Sequence, residues 1–399
     1  MIASISFKNF KSLYDNEVKL NRFCVFIGAN GSGKSNIIDA FKFVRESLLN
    51  DVGAAVGKRF GWQQLYSKSP GRKKEIRFQF FFNFSENESH ILIDKEKRLL
   101  SSNYSLEIGH SKNKSFIKSE KLESNILKKD ETNYQSKFIR TKSEVHLFED
   151  DPNSSDRGTK RFAVPEMAQQ SPFLIAPFGS EASADIALLI RNWKFYDIDH
   201  IAARKPSNNE DDNHLTEDGS NLAVILNKIS SLKHYENLKH RIENLMNLMI
   251  PSFTSWRVER QFDGSIGYKV LEARNEFLPK MVSDGTIRLL SLLVALLYNH
   301  RPNQLIAIDE PERCLHPQAV KTLVDLMRET SKDKQILITT HSAEIVKWLR
   351  PEEIYLVDKI DGKTIILPAT EVTNIDVFLE NFSMDELWLG GYLKGGTIN

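Results

Sequence analysis

The most constraining feature of the sequence is a glycine-rich segment, Gly28 to Ser35, that lies between a predicted strand and a predicted helix. It reads Gly-Ala-Asn-Gly-Ser-Gly-Lys-Ser and fits the phosphate-loop pattern G-x-x-x-x-G-K-S at every position. The preceding residues 23 to 27 are all apolar, which is typical of a strand buried on both faces. Apolar residues then recur at helical spacing from Ile37 to Leu48. This order predicts an α/β fold with a central sheet covered by helices.

The phosphate loop also predicts a ligand. Backbone amides of the loop and of the helix N-terminus can surround phosphate oxygens, because unpaired N–H donors and positive partial charge converge there. Lys34 is expected to neutralise the β- and γ-phosphates of ATP, and the Ser35 hydroxyl is expected to bind Mg²⁺. A glycine turn that contains Lys-Ser by chance would not explain the flanking strand and helix. The other candidate nucleotide-binding residues here are Asn30, Gly31, Ser32, Gly33 and Asn36.

A second apolar run, residues 305 to 308, ends in two adjacent carboxylates, Asp309 and Glu310. Ligands of α/β sheets bind at the carboxyl ends of strands, so both side chains are expected near the phosphates. Asp309 is expected to hold Mg²⁺, and Glu310 to orient or deprotonate the attacking water. Alone, such a pair is as readily a solvated turn. Together with the phosphate loop it indicates ATP hydrolysis.

Two further segments contain candidate site residues. One is expected at the same edge of the sheet, and the other at the start of a helix. His341 follows another apolar strand and could donate a hydrogen bond to the γ-phosphate. Ser283 and Gly285 precede the apolar helix that leads into residues 305 to 308. A Ser-x-Gly turn at this place is commonly an N-cap, because the serine oxygen accepts a free amide. A capped helix N-terminus also binds anions, so both interpretations remain open.

Composition excludes few classes of protein. Lys and Arg number 54 against 53 Asp and Glu, so the net charge gives no reason to invoke nucleic acid or a membrane surface. The two cysteines, Cys24 and Cys314, lack metal-ligand spacing and suit a reducing cytoplasm. The N-terminus lacks the features of a signal peptide. The longest apolar stretch, Leu289 to Tyr298, is about half of the ~20 residues that a spanning helix needs. We expect a cytoplasmic protein without a membrane partner.

The pattern along the chain predicts four segments. Residues 1–109 contain the phosphate loop and short β-like runs typical of an antiparallel layer. Residues 110–160 are polar and predict an insertion or mobile loop. Residues 161–280 include a helical stretch from about 215 to 249 and predict an inserted lid. Residues 281–399 alternate helices and strands and are expected to complete the sheet.

In this order and spacing, the motifs resemble those of the ABC ATPases of the SMC, RecF and OLD group. The matching segments are Asn9 to Ser12, the Walker A loop Gly28 to Ser35, the signature turn Ser283 to Gly285, the Walker B and D-loop residues Asp309 to Pro317, and the H-loop Thr340 to Ser342. The resemblance implies an ABC-type P-loop NTPase head with a central, mostly parallel sheet, an antiparallel β layer and an inserted helical lid.

The resemblance also implies assembly, because two heads of that group sandwich two ATP molecules. Ser283 and Gly285 would then contact the γ-phosphate bound to the opposite subunit of a homodimer or higher oligomer. Lys11 and Ser12 would contact the nucleotide, with a solvated loop as the alternative. The sequence departs from the group in two ways. It has Asp284-Gly285-Thr286 in place of a double glycine, and it has no clear Q-loop, for which Gln63 and Gln64 are weak candidates.

Two non-catalytic segments narrow the resemblance. Glu217 to Ala223, and Glu386 to Gly391 with Gly395-Gly396 beyond, look like the stand-alone OLD-like AAA ATPases of prokaryotic defence and abortive-infection loci. Only 58 residues follow His341, too few for the Toprim nuclease that some OLD proteins carry. The expected function is therefore an ATPase switch without a nuclease domain of its own, which acts on a separate nuclease or toxin in anti-phage defence.

Two alternatives remain. A DNA-repair ATPase like RecF would clamp duplex DNA, with Lys58-Arg59 and Arg72-Lys73-Lys74 as phosphate contacts, although short basic clusters are more often solvated surface. The ATPase half of a membrane transporter is disfavoured by the early phosphate loop and the large insertion.

Overall fold

The computed structural model describes residues 1–66, 75–84, 97–150, 158–176, 179–208, 213–298, 304–373 and 375–393. The strands in these ranges are β1 (Ile2–Phe10), β2 (Leu13–Lys19), β3 (Phe23–Ile27), β4 (Glu75–Asn83), β5 (Lys97–Ser111), β6 (Lys114–Lys128), β7 (Asn133–Thr141), β8 (Glu144–Glu149), β9 (Gly158–Ala163), β10 (Lys194–Tyr196), β11 (Phe253–Arg260), β12 (Ile266–Glu272), β13 (Asn275–Phe277), β14 (Leu305–Asp309), β15 (Gln335–Thr340), β16 (Ile354–Ile360) and β17 (Lys363–Pro368). The α-helices are α1 (Lys34–Leu49), α2 (Val52–Gly57), α3 (Trp62–Leu65), α4 (Ser183–Arg191), α5 (His200–Ala203), α6 (Leu222–Ser231), α7 (Glu236–Met249), α8 (Asp284–Leu297), α9 (Pro317–Thr330), α10 (Ala343–Val346), α11 (Ile375–Leu379) and α12 (Met384–Leu389).

A parallel group of strands forms the middle of the fold, in the order β10-β14-β15-β3-β16. Strands β3 and β15 are buried at every position, the pattern of strands covered on both faces. Along β3, Cys24 and Phe26 belong to one hydrophobic core, whereas Phe23, Val25 and Ile27 belong to another. Because successive side chains of a strand point to opposite faces, the two cores lie on opposite sides of the sheet. The central, mostly parallel sheet predicted from the sequence is confirmed.

Beyond β16 the same sheet continues as an antiparallel layer, in the order β17-β2-β1-β4-β5-β6-β7-β8-β9. Strand β17 joins β2 through a parallel pairing of Thr364 with Leu13. Aromatic residues of β4 pack against α1, with the rings of Phe78 and Phe43 stacked at a centroid distance of 5.4 Å. The antiparallel layer expected from the sequence is thus continuous with the parallel sheet. The strand predicted at residues 90 to 93 lies outside the described residues.

Residues 110 to 160 differ from the sequence prediction of an insertion or mobile loop. They form β6, β7 and β8 together with the end of β5 and the start of β9. In β7 the burial alternates, so that Tyr134, Phe138 and Arg140 face inward. Because a strand with one solvated face needs an inward-facing residue only at every second position, its mean polarity is high. The mobile-loop prediction is wrong for these strands, and residues 151 to 157 lie outside the described chain.

A buried ion pair ties this antiparallel layer to the segment that follows it. Glu120 is fully buried and accepts hydrogen bonds from the backbone amides of Phe173 and Leu174 at 2.6 and 3.0 Å. Arg140 lies 3.3 Å from the Glu120 carboxylate and also donates to the carbonyl oxygen of Ala168 at 2.8 Å. A buried charge is tolerated when it is paired and hydrogen-bonded in this way.

The segment from 161 to 280 is helical only in part. Helices α6 and α7 agree with the helical stretch predicted between about 215 and 249, and they pack on the separate antiparallel sheet β11-β12-β13. The same segment contributes β10, which pairs with β14 and extends the central sheet. A three-residue strand is too short to show a hydrophobic period in the sequence. Among the described helices, none combines the length and the apolar character that crossing a membrane requires.

Asp185 on α4 makes stability depend on pH. Burial raises the pKa of this carboxyl group to about 7, and the negative charge of Glu181 adds to the shift. A carboxyl group with a raised native pKa stabilises the fold while it is protonated, below its unfolded pKa of about 4, and this contribution is lost as the pH rises through about 7. We expect Asp185→Asn to be more stable than the wild type in urea unfolding at about pH 8.

At about pH 4 the difference between the two proteins should be much smaller, because the wild-type carboxyl group is then protonated in the native state and still about half protonated in the unfolded state. Asp15→Asn on β2 removes an exposed carboxylate and is the matched control. An equal gain in this control, or no difference between the two pH values for Asp185→Asn, would contradict the assignment.

Candidate active site

The carboxyl ends of the parallel strands bring the sequence motifs to one edge of the central sheet. In the register of the sheet, Asp309 pairs with Thr339, and Thr340 pairs with Ile27. The phosphate loop begins directly after Ile27, and His341 follows Thr340. Parallel register therefore places the loop, the predicted metal-binding carboxylate and the predicted histidine side by side, at the edge where α/β sheets bind ligands.

The shape of the phosphate loop requires glycine. Gly31 and Gly33 have φ angles of 81° and 110°, in the left-handed region that favours this residue. A Cβ atom at Gly33 would lie 2.0 Å from Thr364 Oγ1, and one at Gly28 would lie 2.2 Å from the carbonyl oxygen of Val357. The loop thus passes too close to β16 and β17 to accept side chains at these two positions.

A chain of hydrogen bonds joins the phosphate loop to β17 and to the turn between β1 and β2. The side-chain amide of Asn36 donates to Ser12 Oγ at 2.7 Å, and Ser12 Oγ lies 2.6 Å from Thr364 Oγ1. Thr364 in turn donates to the carbonyl oxygen of Ser32 at 2.9 Å. Ser12 therefore contacts the loop through Thr364, a residue that the sequence motifs did not reveal because it lies 332 positions after Ser32.

Lys34 lies between the loop and a group of carboxylates. Its ammonium group donates to the carbonyl oxygens of Gly28 and Ala29 at 2.7 and 2.9 Å. Burial lowers the pKa of Lys34, and the negative charges of Glu310 and Asp309 act in the opposite direction. The ammonium group is thus close enough to both carboxylates to interact with them electrostatically.

The residues at this edge fit a Mg–triphosphate group. Phosphate oxygens can take the place of the loop carbonyls as acceptors for the Lys34 ammonium group, and they are better acceptors because they are charged. The Ser35 hydroxyl is exposed in the first turn of α1, and Asn30 and Gly31 are exposed on the loop. Hydroxyl and carboxylate oxygens are the ligands that Mg²⁺ prefers. Ser35 and Asp309 would hold the metal ion, which would neutralise phosphate charge when bound.

Asp309 is held in place by its neighbour on β15. Its carboxylate accepts a hydrogen bond from the Thr339 hydroxyl. Burial raises the pKa of Asp309, and the nearby carboxylates of Asp197 and Glu310 raise it further, whereas the Thr339 hydrogen bond and Lys42 lower it. A partly buried carboxylate close to other negative charges favours the binding of a cation.

Glu310 and His341 form a direct pair. His341 Nδ1 lies 2.7 Å from Glu310 Oε1, and both side chains reach solvent. The backbone of Glu310 has a φ angle of 44°, and its amide donates to the carbonyl oxygen of Thr339 at 3.0 Å. A non-glycine residue in the left-handed region persists when its surroundings fix it. The turn after β14 thus presents the Glu310 carboxylate to the histidine.

Arg288 holds the backbone of the turn that follows β14, and the sequence motifs did not reveal this residue. The side chain is 2% exposed and comes from the second turn of α8. It donates to the carbonyl oxygen of Glu310 at 2.8 Å, to that of Asp309 at 3.3 Å and to that of Ile198 after β10. One guanidinium group therefore joins the helix that begins at the signature turn to the backbone of both carboxylates.

The signature turn is built as a helix start. Ser283 Oγ accepts the backbone amide of Thr286 at 3.1 Å, so it is the N-cap of α8. A Cβ atom at Gly285 would lie 2.5 Å from the carbonyl oxygen of Cys314, so only glycine fits against the D-loop. Asp284 lies 2.6 Å from the Arg204 guanidinium. Among the described residues, no hydrogen bond or ion pair joins this turn to the phosphate loop of the same chain.

Among the described contacts, none joins Gln63 or Gln64, the two candidates for the Q-loop, to the phosphate loop or to the carboxylate pair. Gln63 and Gln64 are exposed on α3, which lies beside the turn between β1 and β2. The position next to Asp309 is taken by Asp197, because the preceding residue, Tyr196, pairs with Ile308. Asp197 is exposed and influences the pKa of Asp309. Strand β10, which precedes Asp197, has only three residues, and this is too few to show a hydrophobic period in the sequence.

The segment from Glu217 to Ala223 holds the chain around Asp197. The backbone amide of Asp197 donates to the carbonyl oxygen of Glu217 at 2.9 Å, and the Glu217 carboxylate pairs with Lys42 at 3.2 Å and with Arg45. This motif therefore fastens the end of β10 to α1. In the C-terminal tail, Gly395-Gly396 lies outside the described residues.

The basic residues singled out in the sequence are largely paired. Lys11 Nζ lies 2.8 Å from the Asp39 carboxylate, one helical turn beyond Ser35. Arg59 binds the same Asp39 carboxylate at 2.7 Å and Glu46 at 2.5 Å, and Lys58 lies 3.3 Å from Glu46. Arg59 is thus paired with two carboxylates, whereas Lys58 is exposed beside Glu46. Arg72-Lys73-Lys74 lies outside the described residues.

A family model matches the chain over residues 23 to 347, and the family is described as "AAA domain, putative AbiEii toxin, Type IV TA system". The match spans the phosphate loop, the signature turn, the carboxylate pair and His341. A search of curated protein sequences gave no significant match.

Solved SMC head domains share the fold. The "SmcHead bound to the C-winged helix domain of ScpA" is 18% identical, covers 92% of this chain and 97% of its own, and superposes with a TM-score of 0.55. The Smc head domain from Pyrococcus furiosus, with an extended coiled coil and bound to the C-terminal domain of ScpA, is 17% identical, covers 95% of this chain and 99% of its own, and has a TM-score of 0.52. The ABC-type head fold expected from the motifs is confirmed.

Arg288→Met tests the support of the Glu310 turn. The variant keeps an apolar stem but removes the donors to three backbone carbonyls, and small displacements of a catalytic group have large effects on rate. We expect kcat for ATP hydrolysis to fall by at least about tenfold. ATP affinity should change less, because the described contacts of Arg288 do not include the phosphate loop.

Arg241→Met is the matched control, because Arg241 is half-exposed on α7 and pairs only with Glu329 among the described residues. Steady-state kinetics, ATP titration and thermal unfolding together separate the outcomes. A kcat equal to that of the control, or a loss of ATP affinity as large as the loss of kcat, would show that Arg288 does not act through the turn.

Proposed function

Because the chain belongs to this AAA family and has the fold of an SMC-like ATPase head, we propose that it is an Mg-dependent ATPase that dimerises around ATP. In this proposal the nucleotide state controls a separate effector, a nuclease or toxin, in anti-phage defence. The phosphate site supports ATP hydrolysis, the signature turn supports the dimer, and the relatives support a separate partner.

The phosphate site supports ATP binding and hydrolysis. Lys34 and the loop amides would bind the phosphates, with Ser32 and Gly33 held in place by Thr364, and Ser35 and Asp309 would hold Mg²⁺. Glu310 would accept a proton from the attacking water, and His341, already 2.7 Å from Glu310, would orient that carboxylate and donate to the γ-phosphate. Lys11 would reach the nucleotide by releasing Asp39, to which it is now paired.

The signature turn is the observation that carries the dimer. Ser283 caps α8 while Asp284 is held by Arg204 and by His200, whose Nε2 lies 3.4 Å from the carboxylate. The helix N-terminus is thus built and fixed, and its described contacts are with residues other than the phosphate loop. A fixed helix N-terminus attracts anions, and the γ-phosphate of a second copy is an anion of suitable charge. Ser283 and Gly285 would then complete the partner's site, and Arg288 would transmit their contact to Glu310.

The relatives support a separate partner. The family description names a putative toxin of a type IV toxin–antitoxin system, and the SMC heads of similar fold were solved with ScpA bound. An ATP-dependent dimer offers such a partner a surface that changes with nucleotide state. This is the sense in which the protein would act as a switch.

Mixing two inactive variants tests the shared site. Lys34→Ala removes the ammonium group of one subunit's loop. Ser283→Asp keeps an N-cap residue but places a negative charge where the partner's phosphate would approach. In a mixed dimer one site combines an intact loop with an intact signature turn. Random exchange at equal concentrations should therefore restore about a quarter of wild-type turnover, since half of the dimers are mixed and one of their two sites is intact.

ATPase rates of the two variants alone and of the mixture provide the measurement. Each variant alone should be nearly inactive, and a mixture of Lys34→Ala with Lys34→Ala, Glu310→Gln is the control that has no intact site. If the Ser283→Asp mixture stays inactive while both proteins remain folded, each subunit acts alone and the dimer proposal fails.

Glu310→Gln tests the switch itself. The substitution removes the base and keeps the size of the side chain, so ATP binding should remain while hydrolysis slows by at least about a hundredfold. With Mg-ATP the variant should accumulate as a dimer in size-exclusion chromatography with light scattering. When the adjacent genes are co-expressed, the effector should copurify with Glu310→Gln and not with Ser283→Asp.

Glu352→Gln, an exposed carboxylate elsewhere, should behave as the wild type in both assays. A Glu310→Gln protein that stays monomeric with saturating Mg-ATP and retains full turnover would contradict the shared-site mechanism. A dimer that forms without any copurifying protein would leave the ATPase intact but remove the effector part.

A further inference from the structure

Asp284 gives the signature turn a charge that opposes its proposed role. It is the first residue of α8 and lies between Ser283 and Gly285, the two residues that would contact the γ-phosphate of a second copy. A helix N-terminus attracts anions through its free amides and its dipole. A carboxylate at the same place repels them, because like charges at short distance interact unfavourably. Tight binding of an anion at this turn therefore requires that the Asp284 charge is balanced.

Arg204 supplies this balance. Its Nη2 atom donates to the Asp284 carboxylate at 2.6 Å and to the carbonyl oxygen of Val282 at 2.8 Å. The guanidinium group thus bridges the residues on both sides of Ser283. His200 Nε2 lies 3.4 Å from the same carboxylate, but an imidazole ring carries a charge only when it is protonated. In the part of the chain that the structure describes, Arg204 is the only permanent cation within ion-pair distance of Asp284.

The position of Arg204 is fixed by the segment that carries it. Arg204 directly follows α5, a short helix capped by Asp199, whose carboxylate accepts a backbone amide of the first turn at 2.8 Å. The Tyr268 hydroxyl on β12 donates to the carbonyl oxygen of Ala203 at 3.2 Å. The Arg204 side chain is only 19% exposed. Because the side chain is mostly buried and its backbone is held, its charge stays next to Asp284.

The effect of the Asp284 charge depends on whether a second copy covers the turn. The Asp284 side chain is 50% exposed, so water and salt screen part of its charge in the single chain. In the proposed dimer the second copy would displace water from the turn, and the same charge would act more strongly on the phosphate. A carboxylate without its guanidinium partner is therefore tolerated in the monomer and unfavourable in the dimer.

We propose that Arg204 enables the signature turn to accept the partner's γ-phosphate by cancelling the charge of Asp284. This inference rests on the proposed ATP-bound dimer and assigns the two residues opposite effects on it. Arg204 favours the dimer, and Asp284 weakens it. The pair thus sets how tightly two ATP-bound subunits associate.

Four full-length proteins test the assignment. Each carries Glu310→Gln to prevent turnover, and they are this parent, Arg204→Met, Asp284→Asn and the double variant with both changes. Sedimentation equilibrium at saturating Mg-ATP measures the dimer dissociation constant. Arg204→Met should raise this constant at least about tenfold, because both composite sites then contain an unbalanced carboxylate. The double variant should return to within about threefold of the parent, because no charge is left to balance.

Asp284→Asn alone separates this role from a structural one. If the ion pair only supported the fold, its loss would weaken the dimer or leave it unchanged. The proposed role predicts the opposite. The dimer of the Asp284→Asn variant should be about three- to tenfold tighter, because Arg204 then faces the partner's phosphate with an uncompensated positive charge.

Salt dependence and a matched substitution provide further readouts. The ratio between the constants of Arg204→Met and the parent should shrink between about 50 and 500 mM KCl, because salt screens charges but does not repair a packing defect. Arg257→Met removes an arginine of β11 that pairs with Glu276 at 3.0 Å, and it should leave the constant unchanged. Thermal unfolding and the ATP affinity of the monomer, which should vary by less than about twofold, check the fold and the phosphate loop of each variant.

Two results would overturn the role of Arg204 while the parent still dimerises. One is a double variant whose dimer is as weak as that of Arg204→Met, and the other is an Asp284→Asn dimer that is no tighter than that of the parent. A parent that stays monomeric with Mg-ATP refutes the dimer itself, and the role of Arg204 with it. The behaviour of the parent therefore distinguishes failure of the proposed function from failure of this inference.

Discussion

The parallel register of β14, β15 and β3 is the constraint on which the remaining structure depends. It pairs Asp309 with Thr339 and Thr340 with Ile27, and thereby places the residues that follow these strands side by side at one edge of the sheet. Parallel strands cannot be joined by tight turns, so each must be reached through a helix or a longer excursion. Residues that are hundreds of positions apart therefore meet at one edge. Both faces of these strands are covered by hydrophobic cores, which prevents a shift in register.

The balance of charges at that edge is the second feature that shapes the candidate site. Lys34 is buried between loop carbonyls and the carboxylates that follow β14, and burial alone lowers its pKa. Asp309 is also partly buried, and its pKa is raised despite the hydrogen bond from Thr339. The opposite charges of Lys34 and Asp309 partly offset the free energy that is needed to remove each group from water. A Mg–triphosphate group brings both a cation and an anion, so it satisfies the lysine and the carboxylates together.

Backbone geometry at the edge is held by a few side chains that carry no catalytic chemistry themselves. Thr364 sets the distance between the phosphate loop and β17, and Arg288 holds the carbonyls of the residues that follow β14. The bond from Arg288 to the Glu310 carbonyl oxygen and the bond from the Glu310 amide to the Thr339 carbonyl oxygen hold Glu310 in the left-handed region. Such positioning explains why α8 is both the helix of the signature turn and the support of the proposed base. A contact at its N-terminus and the alignment of Glu310 are mechanically linked through Arg288.

The sequence alone predicted much of this edge, because its motifs are local. The strand, loop and helix around Gly28 to Ser35 and the apolar strands before Asp309 and His341 are each short segments in which hydrophobic period and glycine placement are visible directly. The site roles inferred from them remain proposals. The antiparallel strands from 110 to 160 were missed because one solvated face makes their composition look like that of a loop.

Other features were decided only by the tertiary structure. Thr364, Arg288 and Asp197 reach the site from distant segments, and nothing in their local sequence marks them. Arg59 is basic in sequence, but it is paired with Asp39 and Glu46 once α1 and α2 pack together. Sequence patterns thus determined which segments form strands, helices and phosphate-binding turns, because those depend on neighbouring residues. The fold decided which side chains meet and which charges are cancelled, because these depend on packing between residues far apart in the chain.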